Sequence, residues 1–151
     1  MVTHQQFVSE ARKWLNTPFM HQGRRRGLGV DCVGLVLCVM RDLGLNSWVE
    51  LEEYRTYAAQ PVGNAVLEAC KSRLVEKPLA ARQPGDLLVF RVPIAATHIG
   101  IVSEHGIIHA LNSGRRFRGL ATLVGRVVEH SLDSRWLARV AGCFSIPGII
   151  D

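Results

Sequence analysis

Cys32 is the residue in this chain best placed to act as a nucleophile. It stands in Val30-Asp31-Cys32-Val33-Gly34-Leu35, directly after a glycine-rich loop and in the expected first turn of an apolar helix. A helix N-terminus presents partial positive charge and unpaired N–H groups, which favour a thiolate. Thiolate is the nucleophilic form of cysteine, and the same N–H groups can hold the oxyanion of an attacked carbonyl. The plainer reading of a lone cysteine is a small core residue. That reading suits Cys38, Cys70 and Cys143, which lack the loop-to-helix setting.

A thiol of this kind needs a base. His98 opens the apolar run Thr97-His98-Ile99-Gly100-Ile101-Val102, where Gly100 leaves room for close backbone approach. His109 lies in Ile107-Ile108-His109-Ala110-Leu111. A tight turn at Glu104-His105-Gly106 makes these two runs a hairpin, so both histidines can share one face near its open end. One imidazole then orients the other and sets its tautomer. Either histidine alone reads as a hydrogen-bonded core residue; two together with a helix-start cysteine are far less common by chance. His4 in an exposed first turn, His105 at a turn tip and His130 at a strand end beside Glu129 are weaker candidates. His21 precedes Cys32 in the loop, where it either lines a cleft or is simply solvated. Zinc bound by Cys32, His98 and His109 is the chemical rival, but no pair has short metal-ligand spacing, and no metal is expected.

The elements that must position these groups can be read from the pattern. Thr3 caps a helix over residues 4 to 15, with Gln6 completing a capping box and Phe7, Val8, Ala11, Trp14 and Leu15 at helical spacing. Asn16-Thr17-Pro18 ends it, and a loop rich in Gly and Arg runs to Gly29. A second helix runs from about Asp31 to Leu43 with Gly44 as its stop, apolar nearly all round and so buried against a sheet. A polar connection holding Tyr54 and Tyr57 leads to a shorter helix near Ala65 to Ser72. Gln83-Pro84-Gly85-Asp86 is a turn, followed by strands at Leu87 to Phe90, His98 to Ser103 and Ile107 to Leu111. Gly125 to Glu129 and Arg139 to Ile146 supply two more. Helices first and an antiparallel sheet second make an α+β arrangement.

The chain of 151 residues fits one domain, residues 1–151, without repeat or linker. With 48% hydrophobic and 21% charged residues it has the apolar content for a core, which excludes a disordered tail. The longest apolar run, Val30 to Met40, is broken by Asp31 and Gly34 and falls short of a membrane span. The opening MVTHQQFVSEARKW has no basic region followed by an apolar stretch and cleavage site. No secretory signal is therefore expected, and the four cysteines are expected as free thiols in a chain made in the cytosol. The net charge of +5 favours anionic surfaces without naming one. Of the arginine clusters, Arg24-Arg25-Arg26 and Arg115-Arg116-Phe117-Arg118, only the second carries an aromatic; solvated loops are expected, not a nucleic-acid site.

Five motifs in order carry a family resemblance: Thr17-Pro18-Phe19 before the Gly-rich loop, Asp31-Cys32-x-Gly-Leu, Pro84-Gly85-Asp86-Leu87, His98-Ile99-Gly100-Ile101 and Ile108-His109-Ala110. Over roughly residues 5 to 145 the chain resembles the NlpC-type cell-wall peptidases. The resemblance implies a papain-like α+β fold in which the cysteine helix packs on a sheet bearing the histidines. It further implies Cys32 as nucleophile, His98 as base, His109 as orienting residue, no cofactor, and hydrolysis of amide bonds in peptidoglycan stem peptides. Asp31 is a secondary candidate for the substrate pocket, although an aspartate at a helix start is equally a cap. Phe19 stands where the family commonly has tyrosine, so a hydroxyl contact is lost there. Arg24 to Arg26 can meet stem-peptide carboxylates if their loop flanks the cleft. His21-Gln22-Gly23 resembles the phage-tail and gene-transfer-agent branch, whose enzymes are made in the cytosol, built into a tail and carried by the particle to the wall. The rival readings are a structural tail-tip protein that keeps the fold without turnover, and a thiol amidase or acyltransferase.

Overall fold

The computed structural model describes residues 1–45, 64–92, 96–112 and 125–151. The segment with Tyr54 and Tyr57 and the cluster Arg115-Arg116-Phe117-Arg118 lie outside the described residues. Strand β1 (Val2–Thr3) leads into helix α1 (His4–Arg12), and β2 (Arg24–Arg25) and β3 (Gly29–Val30) precede helix α2 (Cys32–Asp42). Helix α3 (Ala65–Arg73) is followed by β4 (Val75–Lys77), β5 (Leu87–Arg91), β6 (Ala96–Ser103), β7 (Gly106–Leu111) and β8 (Arg126–His130). A short helix α4 (Ser134–Leu137), β9 (Val140–Ser145) and β10 (Ile149–Ile150) complete the order. Among the described residues the main sheet has six antiparallel strands in the order β4-β9-β5-β6-β7-β8, while β1 pairs β10 in parallel. Helices then sheet, the α+β arrangement, is what the sequence implies.

The expected capping box is present: the Thr3 hydroxyl accepts from Gln6 N at 3.1 Å and the Gln6 side chain accepts from Thr3 N at 2.9 Å. Phe7, Val8 and Ala11 are buried, but α1 ends at Arg12, short of residue 15. Asn16 takes a left-handed backbone (φ 69°), which asparagine tolerates. Its N–H donates to Val127 O at 3.0 Å, and Val127 N donates back to Thr17 O at 2.9 Å. The chain leaving α1 is thus held along β8, and tertiary pairing cuts the helix short. His4 is not exposed as expected; its Nε2 lies 2.9 Å from Gln83 Nε2 and 3.4 Å from an Asp151 oxygen.

Strand β5 explains its own composition. Leu87 and Val89 join the core under the helices, while Leu88 and Phe90 join a second cluster on the opposite face with Val102, Ile107 and Cys143. A strand buried on both faces reads as a continuous apolar run, not as alternation. Helix α2 lies between α1 and strands β6 and β7, with Leu35, Val36, Cys38, Val39 and Met40 buried. Each such side chain contributes about 1.5–3 kcal/mol by leaving water, so α2 is fixed against the sheet mainly by its flanks. Its start and stop are as read from the sequence: Asp31 is the cap and Gly44 ends the helix at φ 71°.

Two ion-pair clusters fasten the sheet. Arg12 of α1 meets Glu129 of β8 through two bonds, 3.1 and 2.9 Å, and Glu104 in the β6–β7 turn at 2.7 Å. Both carboxyls are held below their ordinary range, Glu129 chiefly by Arg12, and Glu104 by a backbone N–H and then Arg12. Asp86, fully buried, accepts from Lys77 Nζ and Gln83 N, each at 2.8 Å. That is the role of the aspartate in Pro84-Gly85-Asp86: it closes the turn that launches β5. Among the described residues no helix is long and apolar enough to cross a membrane.

Candidate active site

The loop before Cys32 is more ordered than the sequence suggests. β2 and β3 form a small hairpin with Arg24 opposite Val30, and Phe19 bridges to Val30. The buried Asp31 carboxylate organises it: Oδ1 accepts from Gly34 N at 2.7 Å and from Arg24 Nη1 at 3.2 Å, and Oδ2 accepts from Gln22 N at 2.7 Å. His21, on the exposed loop, has Nδ1 4.0 Å from Oδ2. Gly34 must be glycine for this approach, since a Cβ there would lie 2.5 Å from Arg24 Nη1 and 2.7 Å from Gly23 O. Asp31, His21 and Arg24 are therefore gathered at the mouth of α2. Phe19 is half-buried against the main core, its ring serving packing.

Cys32 is half-buried at the first position of α2. Backbone N–H groups of Ile99, Val33 and Cys32 itself lie in hydrogen-bonding range of its sulfur and favour the thiolate. They do not prevail. Burial first, then the Asp31 charge, push the thiol up to about 12. The helix terminus favours the thiolate as the sequence implies, but desolvation and the adjacent carboxylate outweigh its N–H groups. Cys38, Cys70 and Cys143 are buried free thiols.

The Ile99 contact sets Cys32 beside β6, one residue from His98. The β6–β7 ladder runs from Ser103 opposite Gly106 to Ile101 opposite Ile108, so the hairpin turn is where the sequence places it. Beyond Ile101 the ladder stops, at the end of the hairpin that carries His98 and His109. There His98 Nε2 lies 2.6 Å from His109 Nδ1. Gly100 makes the approach possible, because a Cβ would lie 2.8 Å from Ile107 Cγ1 and 3.1 Å from His109 Cβ.

His109 has a second partner that sequence reasoning missed. Its Nε2 lies 2.8 Å from His130 Nε2 on β8, and His130 Nδ1 lies 2.9 Å from the Ser131 carbonyl oxygen. The signal was weak because it depends on the β7–β8 register, Ile107 opposite His130 and His109 opposite Val128. Those strands are twelve or more residues apart in the chain, and no local pattern fixes their alignment. Trp136 of α4 covers all three rings, with centroids 6.2 Å from His98, 5.0 Å from His109 and 5.5 Å from His130. Phe90 closes the side next to His98 at 5.9 Å. Inside this aromatic wall burial holds His98 down to about 4, with His130 adding to the effect, and takes His109 well below its ordinary value. With both nitrogens of His109 engaged by neighbouring rings, it has no lone pair turned to a metal ion.

The arrangement thus joins His98, His109 and His130 in one chain, places Cys32 against Ile99, the residue after His98, and sets Asp31, His21 and Arg24 on the loop next to the cysteine. Solved structures share this fold. The NlpC/p60 domain of the peptidoglycan hydrolase SagA aligns over 96% of this chain and 100% of its own, with a TM-score of 0.62 and 22% identity. An NlpC/P60 family protein from Bacillus cereus aligns over 93% of this chain at TM-score 0.63 and 16% identity, and NlpC1 from Trichomonas vaginalis over 95% at 0.58 and 16%. The alignments span 39% and 43% of those two longer proteins. A search of curated protein sequences gives no significant match. The NlpC/P60 family model matches residues 16–132, a stretch that takes in the cysteine, both hairpin histidines and His130. On that match, which covers most of its length, the chain belongs to the NlpC/P60 family.

Proposed function

We propose that this protein is a cysteine peptidase that hydrolyses amide bonds in peptidoglycan stem peptides. The observation that carries the reading is the joint placement of Cys32 at the start of α2, with the Ile99 N–H on its sulfur, and the His98–His109 pair 2.6 Å apart at the adjacent strand ends. Family membership supports a cell-wall hydrolase, and the SagA domain that shares the fold belongs to a peptidoglycan hydrolase.

In this mechanism His98 takes the Cys32 proton and the sulfur attacks the scissile carbonyl. With the thiol near 12 and the imidazole near 4, the resting pair is neutral. Proton transfer therefore accompanies attack and does not precede it. The N–H groups of Cys32 and Val33 hold the oxyanion. His98 returns the proton to the leaving amine, and water, deprotonated by His98, hydrolyses the thioester. Arg24 and His21 offer positive and polar contacts to stem-peptide carboxylates beside the cysteine. Asp31 acts in this scheme by holding that loop, since its oxygens already accept from Gly34, Arg24 and Gln22.

Delivery to the wall by a phage-tail-like particle is part of the proposal, supported by His21-Gln22-Gly23 in the loop. The test is mass spectrometry of purified peptidoglycan fragments after incubation with wild type and with Cys32→Ala. New stem-peptide fragments from wild type alone establish the peptidase and name the bond. If neither protein releases fragments, the peptidase reading fails in favour of a structural role.

A further inference from the structure

The histidine chain has an end that fixes its direction. The Ser131 carbonyl can only accept a hydrogen bond, so His130 Nδ1, 2.9 Å away, carries the proton of that ring. In a neutral ring Nε2 is then the acceptor, and His109 Nε2 donates to it across 2.8 Å. His109 accepts at Nδ1, so His98 Nε2 donates across 2.6 Å. The polarity passes unbroken from the Ser131 backbone oxygen, one residue past the end of β8, to His98, whose Nδ1 is left as the unprotonated ring nitrogen.

We propose that His130 is a positioning residue for the thiol reaction: through His109 it keeps His98 in the tautomer whose Nδ1 accepts the Cys32 proton. The inference rests on the reading of His98 as the base. When His98 takes that proton, each N–H of the chain already points at the next acceptor, so the new imidazolium charge meets an aligned row of lone pairs. Burial keeps His98 and His109 neutral beforehand, which leaves each of these two rings with one donor and one acceptor.

The surroundings show why His130 is free to do this. Glu129, its neighbour in β8, is tied to Arg12 at 2.9 Å and 3.1 Å. From α4 the face toward the histidines is the Trp136 ring, with Arg139 stacked 5.6 Å over it. Asp133 and Arg135 pair with each other at 3.5 Å. Glycine at 106 lets the backbone at His130 and Ser131 press against the β6–β7 turn, where any side chain would strike the His130 carbonyl. Ser131 Cα and Leu132 N, which flank the carbonyl that sets the polarity, lie against the same glycine, so that peptide is placed by backbone packing.

The experiment is nitrogen NMR of 15N-histidine-labelled protein at neutral pH, combined with kinetics of two variants. In wild type, His98 and His109 are expected as Nε2–H tautomers and His130 as Nδ1–H. His130→Leu removes the acceptor; His109 and His98 are then expected to show mixed tautomers, with kcat on a stem-peptide substrate falling roughly 100-fold and KM unchanged within about threefold. His130→Gln, whose carbonyl can accept from His109, is expected to recover most of kcat and both tautomers. An Nδ1–H tautomer of His98 in wild type overturns the proposal, as does a His130→Leu protein with unchanged tautomers and kcat. The wild-type tautomer measurement needs neither a folded variant nor turnover, so failure of the hydrogen-bond polarity is distinguished from failure of the peptidase reading.

Discussion

Cys32 should be a slow nucleophile in the resting protein, although it stands at a helix N-terminus. Burial and the Asp31 charge take its thiol from an ordinary 9.0 to about 12. At pH 8 an ordinary thiol is roughly one-tenth thiolate and a thiol near 12 about one part in ten thousand, a difference of about 10³. The assay is iodoacetamide labelling, with the modified peptide mapped by mass spectrometry, of native protein and of protein unfolded in guanidinium. Native Cys32 should react about 10³-fold more slowly at pH 8, and its rate should rise about tenfold per pH unit from pH 6 to pH 10 without levelling. Simple steric shielding lowers the rate at every pH but leaves the slope and the levelling point unchanged, so the profile separates the two causes. Asp31→Asn retains an oxygen for Gly34 N while removing the charge, and should move the profile to lower pH. A plateau below pH 8 would refute the reasoning, because it would mean a thiolate–imidazolium pair at rest. The same shift has a stability consequence of fixed sign. A thiol whose folded pKa is raised contributes stability in full below about pH 9, and that contribution is lost as pH climbs toward 12.

Gly100→Ala places a methyl group 2.8 Å from Ile107 Cγ1 and 3.1 Å from His109 Cβ. Overpacking of this kind costs about 1–3 kcal/mol, which calorimetry should record as a fall of roughly 2–4 °C in Tm per kcal/mol, with hydrolysis impaired further because His109 is displaced; an unchanged Tm would contradict the packing. Asp86→Ala leaves the Lys77 ammonium without its 2.8 Å partner in a buried turn and should cost about 3–5 kcal/mol. Urea unfolding checks this, and a loss below about 1 kcal/mol would mean that Lys77 reaches water instead.

Much of this protein was legible along the chain because the deciding interactions are local. The Thr3–Gln6 capping box, the Asp31 cap and the Gly44 stop each depend on residues within a turn of one another, and all three are present. The hairpin turn at Glu104 to Gly106 is equally local, and it alone puts His98 and His109 on neighbouring strands. The run Leu87 to Phe90 announced a strand, though its unbroken apolarity made sense only once both sheet faces were covered. The early end of α1 was not legible, because Asn16 and Thr17 are claimed by Val127, more than a hundred residues away.

The order of residues alone dictates which atoms are available for chemistry: one thiol after a glycine-rich loop, two imidazoles one hairpin apart, and an aspartate suited either to cap the cysteine's helix or to line a pocket. Tertiary structure alone decided their protonation and company. The Trp136 and Phe90 rings and the core desolvate the histidines and the thiol, reversing the charge state that a helix terminus would favour. The β7–β8 register delivers His130 to His109, and with it the Ser131 carbonyl. Desolvation depends on everything packed around a group, and strand register on alignments across long loops, so neither is written in the residues nearest the site.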